Sequence, residues 1–389
     1  MTDPNLGQWG LYVHIPFCQA RCTYCDFNTV TGMDDRDHAL YMKALEREWQ
    51  RVTDMPPGEL VSIFFGGGTP SLVEPAQIGG LLEAVYGRGV RLAGELEVTM
   101  EANPGTVSQE RLAAYRQAGV NRLSLGVQAW QEHHLAQLNR IHTAEDAVDA
   151  VRSARRAGFA NVSLDLIYGL PRQTLGEWRE TLDEALALEP DHLSVYQLQV
   201  EEGTPLATQI KRGQLALPVP DLTADMADFG QERLAQAGFE RYEISNYAKP
   251  GRWSRHNRLY WTMNPYLALG AGAHGYWHSR RWWNVRGVRR YIEASLAGEP
   301  VEAGEERLTR PEEMREYLWL GLRERQGLSR SRFFSRFGVN PEGYFGPSFR
   351  KLHQQALIER AGDRIRLSAR GLDVANYVFR EFVGDSTGA

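Results

Sequence analysis

Short β-rich runs alternate with amphipathic stretches through the first half of the chain. The runs are Leu11–Ile15, Val61–Phe65, Leu96–Met100, Arg122–Leu125, Val162–Leu166 and His192–Tyr196. Between them lie Ala39–Val52, Gln77–Tyr86, Gln109–Gln117, Ala144–Ala157 and Leu175–Leu188, with apolar residues at helical spacing. Parallel strands need a crossover of a dozen or more residues, normally a helix, so this rhythm predicts a parallel α/β sheet. Ligand-type residues follow several of the strands, which favours an incomplete (β/α)6 barrel over a doubly wound sheet.

In such barrels chemistry sits at the C-terminal ends of the strands. The second run ends in Gly66-Gly67-Gly68-Thr69-Pro70 and the third in Glu101-Ala102-Asn103-Pro104. The fourth ends in Gly126-Val127-Gln128, and the fifth holds Asp165 before Tyr168-Gly169-Leu170-Pro171. Each element has an ordinary structural explanation: a tight turn, a helix cap, a strand pairing or an internal ion pair. A buried carboxylate without a partner is costly, however. Several polar groups at equivalent strand ends therefore point to a shared ligand.

The first run leads into all three cysteines of the chain, Cys18, Cys22 and Cys25. An odd number within one short loop cannot form a disulfide framework. Thiolates gathered this closely suit a soft metal centre. Structural zinc sites usually draw two ligand pairs from separate segments, although His14 is near enough to be a fourth ligand. Three protein ligands on a [4Fe–4S] cluster would leave one iron open, and the C-x3-C-x2-C spacing favours that reading.

The 389 residues allow two or three domains. Net charge is -5, which argues against nucleic acid as a partner. No apolar run has the length of a membrane span, and Met1–Asn5 shows neither the basic nor the apolar region of a signal peptide. The expected location is the cytoplasm.

Tyr12-Val13-His14-Ile15-Pro16-Phe17-Cys18, with Cys22, Tyr24 and Cys25, resembles the radical S-adenosylmethionine enzymes. Within them the chain is similar to the group of oxygen-independent coproporphyrinogen III dehydrogenase. The likeness extends through Gly66–Pro70, Glu101–Pro104, Gly126–Gln128, Asn139-Arg140, Asp165–Pro171 and a C-terminal accessory region. It implies a radical-SAM partial barrel in which Cys18, Cys22 and Cys25 hold a [4Fe–4S] cluster. It further implies that Tyr12, Tyr24, Gly67, Gly68, Thr69, Glu101, Gln128, Arg140 and Asp165 contact S-adenosylmethionine. Glycine amides and Arg140 suit its carboxylate, Glu101 its ammonium and Asp165 its ribose hydroxyls.

The dehydrogenase has a fourth cysteine where this chain has Phe27, and an N-terminal extension before its motif. His256-Asn257-Arg258-Leu259-Tyr260-Trp261 instead resembles the H-N-x-x-Y-W signature of the HemW family of haem chaperones. Asp26-Phe27-Asn28, Glu101–Gly105 and Gly272-Ala273-His274-Gly275 are similar to that family as well. This resemblance implies haem as cargo, with His256 as the first candidate ligand and His274 the second. It also implies haem-accepting partners, membrane respiratory enzymes among them, and a homodimer, so membrane association would come through a partner. No catalytic residue is assigned. A haem chaperone is favoured over the alternative, radical decarboxylation of coproporphyrinogen III.

Three segments are expected: the barrel over residues 1–240, an aromatic-rich lid over 241–304, and a mainly helical accessory domain over 305–389. In the last, Leu357–Leu367 reads as the two-stranded wing of a winged helix. It is only weakly basic and no arginine cluster follows the wing turn, so DNA binding is not expected.

Overall fold

The computed structural model describes residues 7–383; the outermost residues of the two terminal segments, 1–6 and 384–389, lie outside them. The first half builds β1 (Gln8–Ile15), α1 (Asp35–Arg51), β2 (Glu59–Gly67), α2 (Pro75–Tyr86), β3 (Leu92–Ala102) and α3 (Gln109–Ala118). There follow β4 (Arg122–Gln128), α4 (Glu132–Gln137), α5 (Ala144–Arg156), β5 (Val162–Tyr168), α6 (Leu175–Ala187) and β6 (His192–Gln197). β1 to β6 pair in chain order and all in parallel, as an incomplete (β/α)6 barrel.

Local chemistry fixes the helix starts. Asp34 with Asp37, Thr143 with Asp146 and Thr174 with Glu177 form capping boxes at α1, α5 and α6, satisfying N–H groups the helices leave over. The inner faces of these helices cover the sheet with large side chains, including Tyr41, Trp49 and Trp178, all fully buried. Each such side chain contributes about 2–3 kcal/mol through removal from water. α4 breaks the simple alternation. It is a short helix inserted after β4, and its six residues give too little periodicity to be seen in the sequence.

After β6 come α7 (Pro205–Lys211), α8 (Pro220–Gln236), β7 (Glu240–Arg241) and β8 (Asn246–Ala248). Between β7 and β8 the Glu243 carboxylate accepts from Ser245 N and Asn246 Nδ2 and turns the chain. β8 pairs antiparallel to β6. Then follow α9 (Arg255–Trp261), β9 (Tyr266–Leu269), β10 (His274–Trp277), β11 (Arg280–Asn284), α10 (Val288–Ala297) and β12 (Glu302–Arg307). β9 lies parallel to β1, so the sheet continues past both edges of the barrel to twelve strands. The stretch read as a lid thus also adds strands to both sheet edges.

The C-terminal region holds α11 (Arg310–Arg323), β13 (Leu328–Ser329), α12 (Arg330–Phe337), α13 (Pro341–Tyr344) and α14 (Gly346–Gln354). The wing follows as β14 (Ile358–Ala361) and β15 (Arg364–Leu367), with β13 on the other side of β15, and α15 (Ala369–Asp373) and α16 (Ala375–Val383) close it. This is the mainly helical, winged arrangement. Its apolar core, around Leu318, Phe333, Leu352, Ile365 and Val378, also takes in Met263 and Tyr276. The region is therefore packed onto the sheet rather than tethered beside it.

Candidate functional site

Two cavities open at the C-terminal ends of the barrel strands. The first, of about 520 Å³, is lined by Cys18, Cys22 and Cys25 together with Tyr24, Gly67, Gly68, Thr69, Glu101, Gln128, Arg140 and Asp165. The second, of about 740 Å³, is walled by Tyr12, Tyr260, Tyr266, His274, Trp283 and Arg286, among others. Asp26, Phe27, Gly67 and Glu101 border both. All the residues singled out from the sequence therefore meet at the first cavity except Tyr12, His256 and His274.

The cysteine loop is pinned at both ends. Cys18 N donates to Val30 O at 2.9 Å, and Val30 N to Pro16 O at 2.8 Å. α4 supplies further anchors: Thr23 N donates to Leu138 O at 3.1 Å, and Asn139 Nδ2 to Arg21 O at 2.8 Å. A left-handed turn at Asn139, with φ 56°, then aims Arg140 back at the loop. Its Nη1 lies 3.3 Å from Cys22 Sγ, and its Nη2 donates to Gly126 O. Thr69 Oγ1 points at Cys18 Sγ from 3.7 Å. Burial pushes the Cys18 and Cys25 thiols up, and the Thr69 contact partly opposes this at Cys18.

The glycines act differently from the sequence expectation. Their amides were to face a ligand carboxylate, but they are already engaged. Gly67 N donates to Glu101 Oε2 at 3.1 Å, Gly68 N to Ile15 O at 2.7 Å and Thr69 N to Phe17 O at 2.7 Å. The requirement for glycine is steric. A Cβ on Gly68 would lie 2.6 Å from Phe17 O, and one on Gly67, at φ 115°, would lie 2.5 Å from the His14 ring. The glycine turn is thus the floor on which the cysteine loop rests. Gly126 has the same character, since a Cβ there would meet Gln128 Nε2 at 2.9 Å and Arg140 Nη2 at 3.1 Å.

Glu101 stands at the end of β3 and Asp165 in the middle of β5. Burial, reinforced by the Asp165 charge, pushes Glu101 up to about 7. Asp165 is raised by burial too, although Ser124 Oγ donates to it at 3.1 Å. Among the described residues neither carboxylate has an ion-pair partner, and the Nε of Arg140 is buried with no acceptor. Two desolvated acids and an unfilled guanidinium donor around one cavity fit a ligand that carries both an ammonium and a carboxylate. Three half-buried free thiols beside a fixed cation fit a cluster with thiolate ligands.

Tyr12 and His256 lie elsewhere. Tyr12 lines the second cavity, and its hydroxyl is 3.0 Å from His14 Nδ1. His256, expected as a haem ligand, is a core residue: 1% exposed, it lines neither cavity. Its Nδ1 is 2.8 Å from Ser62 Oγ and its Nε2 is 2.8 Å from the Tyr260 hydroxyl. Burial, with the Arg122 charge, pushes it down to about 3, so it is a neutral imidazole with both nitrogens occupied. In this structure the ring therefore presents no free nitrogen to either cavity. His274, by contrast, is exposed on the wall of the second cavity, 5.9 Å from the Trp283 ring in a stacked arrangement.

Several residues escaped the sequence reading as site components. Phe27, 61% exposed, stands on the rim shared by the cavities. Asn28 ties the cysteine loop to the far wall, its Nδ2 donating to Ala271 O at 2.9 Å and Arg286 O at 3.0 Å. Trp283 and Arg286 follow the Gly272–Gly275 motif closely enough for that motif to have pointed to them.

A parallel barrel with three thiols on the loop after its first strand defines the radical S-adenosylmethionine class, and residues 12–185 match the Radical SAM superfamily. Residues 308–374 match the HemN C-terminal domain. The chain is 37% identical over 377 residues to the heme chaperone HemW of Bacillus subtilis (strain 168), covering 96% of this chain and 99% of that protein. It is 37% identical over 387 residues to HemW of Mycobacterium tuberculosis (strain ATCC 25618 / H37Rv), covering 98% and 96%. In three dimensions it is similar to coproporphyrinogen III oxidase (HemN) from Escherichia coli, with a TM-score of 0.83, 24% identity and coverage of 96% and 89%. The chain belongs to the HemW family. Its superfamily implies a [4Fe–4S] cluster and S-adenosylmethionine. Among the described residues no helix is long and apolar enough to cross a membrane.

Proposed function

We propose that this protein is a haem chaperone that holds a [4Fe–4S] cluster on Cys18, Cys22 and Cys25, with S-adenosylmethionine beside it in the first cavity. Haem occupies the second cavity as cargo and passes to acceptor proteins. The observation that carries the reading is the shared boundary, at Phe27, Gly67 and Glu101, between the cysteine-lined cavity and one walled by aromatic rings and an exposed imidazole.

When bound, a three-thiolate cluster offers one iron to the methionine group of S-adenosylmethionine and is a source of an electron for its cleavage. The chain's own residues do the rest. Arg140 places a permanent cation next to Cys22 and balances thiolate charge. Glu101 accepts from an ammonium, Asp165 accepts from hydroxyls, and the Gln128 amide donates to or accepts from polar edges. Tyr24 and Tyr196 wall the first cavity with rings and limit water.

In the second cavity His274 is the imidazole free to ligate haem iron, the common axial choice. Trp283 and Tyr266 offer ring faces to the porphyrin, and Arg286 offers a guanidinium to a propionate. His256 supports this wall by fixing Tyr260. In the same reading residues 1–240 are the cluster-bearing barrel, 241–304 the lid and 305–389 the surface for a second copy or an acceptor. Acceptors include membrane respiratory enzymes, and the protein works from the cytoplasm.

The test is haem retention and transfer. Cluster-loaded, haem-loaded protein should keep haem against albumin and release it to an apo-haemoprotein. Conversion of coproporphyrinogen III to protoporphyrinogen, with 5′-deoxyadenosine formed in step, would replace this reading with the radical decarboxylase.

A further inference from the structure

α4 opens with Glu132-His133-His134 and faces the first turn of α6. One ring nitrogen each from His133 and His134 and one oxygen of Glu177 lie within 4.8 Å of one another. His133 Nε2 is 3.1 Å from Glu177 Oε1, and His134 Nε2 is 3.6 Å from Glu177 Oε2. The carboxylate is held independently, because its Oε2 accepts from Thr174 N and Thr174 Oγ1, each at 2.8 Å. The two imidazoles are in ring contact, with centroids 4.1 Å apart.

An exposed histidine beside a glutamate is ordinarily a weak ion pair. That explains His133, whose side chain is 64% exposed, but not His134. His134 is 1% exposed and neither of its ring nitrogens has a hydrogen-bond partner. The 3.6 Å separation from Glu177 is too long for a hydrogen bond. A buried imidazole lacking both partners is costly, and its lone pair is free for another acceptor of electrons.

We propose that His133, His134 and Glu177 form a second metal site, for a divalent transition ion of the zinc class. Two imidazoles and one carboxylate are a borderline donor set that suits zinc, and three protein ligands leave a position open on the solvent side of His133. The ion joins α4 to α6. The far end of α4 carries the contacts that hold the cysteine loop, from Leu138 to Thr23 and from Asn139 to Arg21. Metal at the start of α4 therefore braces the floor of the first cavity without entering it. This site does not depend on haem or on S-adenosylmethionine.

The test uses cluster-loaded protein under anaerobic conditions, so that the thiols are occupied, dialysed against zinc and analysed for zinc and iron together. Zinc X-ray absorption reports the neighbours. Wild type should take up one zinc per chain, with nitrogen and oxygen neighbours at about 2.0–2.1 Å and no sulfur at about 2.3 Å. His133→Ala, at an exposed position, should weaken uptake by about tenfold or more. Glu177→Gln, which retains a capping side chain, should weaken it as well. Sulfur in the zinc shell, unchanged affinity in His133→Ala, or no saturable uptake would each overturn the proposal. Unchanged iron content in these variants separates its failure from any failure of the cluster reading.

Discussion

His256 Nε2 and the Tyr260 hydroxyl lie 2.8 Å apart, one helical turn along α9, and only Tyr260 reaches a cavity. The histidine of this motif thus acts on the second cavity through its neighbour, from beneath Tyr12 and Phe64, whose rings lie 6.3 and 5.0 Å from its own. His256→Ala would strand the Ser62 and Tyr260 hydroxyls and leave a void. The expected loss is about 3 kcal/mol of stability, read as a lower urea midpoint at unchanged slope. A neutral result would mean that the ring is not packed as described.

Gly68 is in contact with the cysteine loop, and a methyl group there must displace the backbone of Pro16 and Phe17. Gly68→Ala is expected to abolish most iron uptake on reconstitution while leaving the far-ultraviolet circular dichroism unchanged, because the damage is confined to the loop. Full iron content in a folded Gly68→Ala protein would contradict the steric role assigned to the turn.

Asn28 joins the two cavities mechanically. Asn28→Ala removes two donated hydrogen bonds, worth about 1–2 kcal/mol together. Hydrogen exchange should accelerate at the same time in residues 26–30 and 270–286, although the two segments are distant in sequence. Acceleration of one segment without the other would show that the clamp is not what couples them.

How far the sequence led can be judged from these same residues. The six parallel strands were legible because buried parallel strands read as apolar runs with helical stretches between them. The winged C-terminal unit was legible for a similar reason: its turn at Gly362 separates two short alternating runs. Glu101, Gln128 and Asp165 were legible as polar residues in or just past apolar strands and the cysteines by their spacing, whereas Arg140 came only with the family resemblance. β9 beside β1 was not, because pairing between positions as distant as Gly10 and Tyr266 leaves no local pattern. The occupied amides of Gly67 and Gly68 were hidden as well, since a glycine sequence does not say which N–H is free. The burial of His256 was hidden for the same reason: a motif specifies neighbours, not depth.

Glu48 gives the fold a pH dependence. It is buried, accepts from Gly270 N at 2.9 Å, from Asn284 Nδ2 at 2.6 Å and from the Tyr291 hydroxyl, and burial pushes it up to about 7. Between its unfolded pKa of about 4.3 and about 7, the folded state binds more protons than the unfolded one. Stability contributed by this group is therefore present at low pH and lost as pH rises through that window. Urea denaturation of the cluster-free protein from pH 5 to 8 should show a shallower fall in Glu48→Gln than in wild type, by about 2–3 kcal/mol across the window. Parallel curves for the two proteins would rule out a raised carboxyl at this position.

The central claim, a haem cavity adjoining the cluster cavity with His274 as its imidazole, is tested most directly by titration. Haem is added anaerobically to cluster-loaded wild type, His274→Ala and His256→Gln, and the Soret band is followed. The account predicts a saturable one-to-one change in wild type, at least about tenfold weaker in His274→Ala and within about threefold of wild type in folded His256→Gln. Unchanged binding in His274→Ala together with its loss in folded His256→Gln would contradict the account and return the iron to His256.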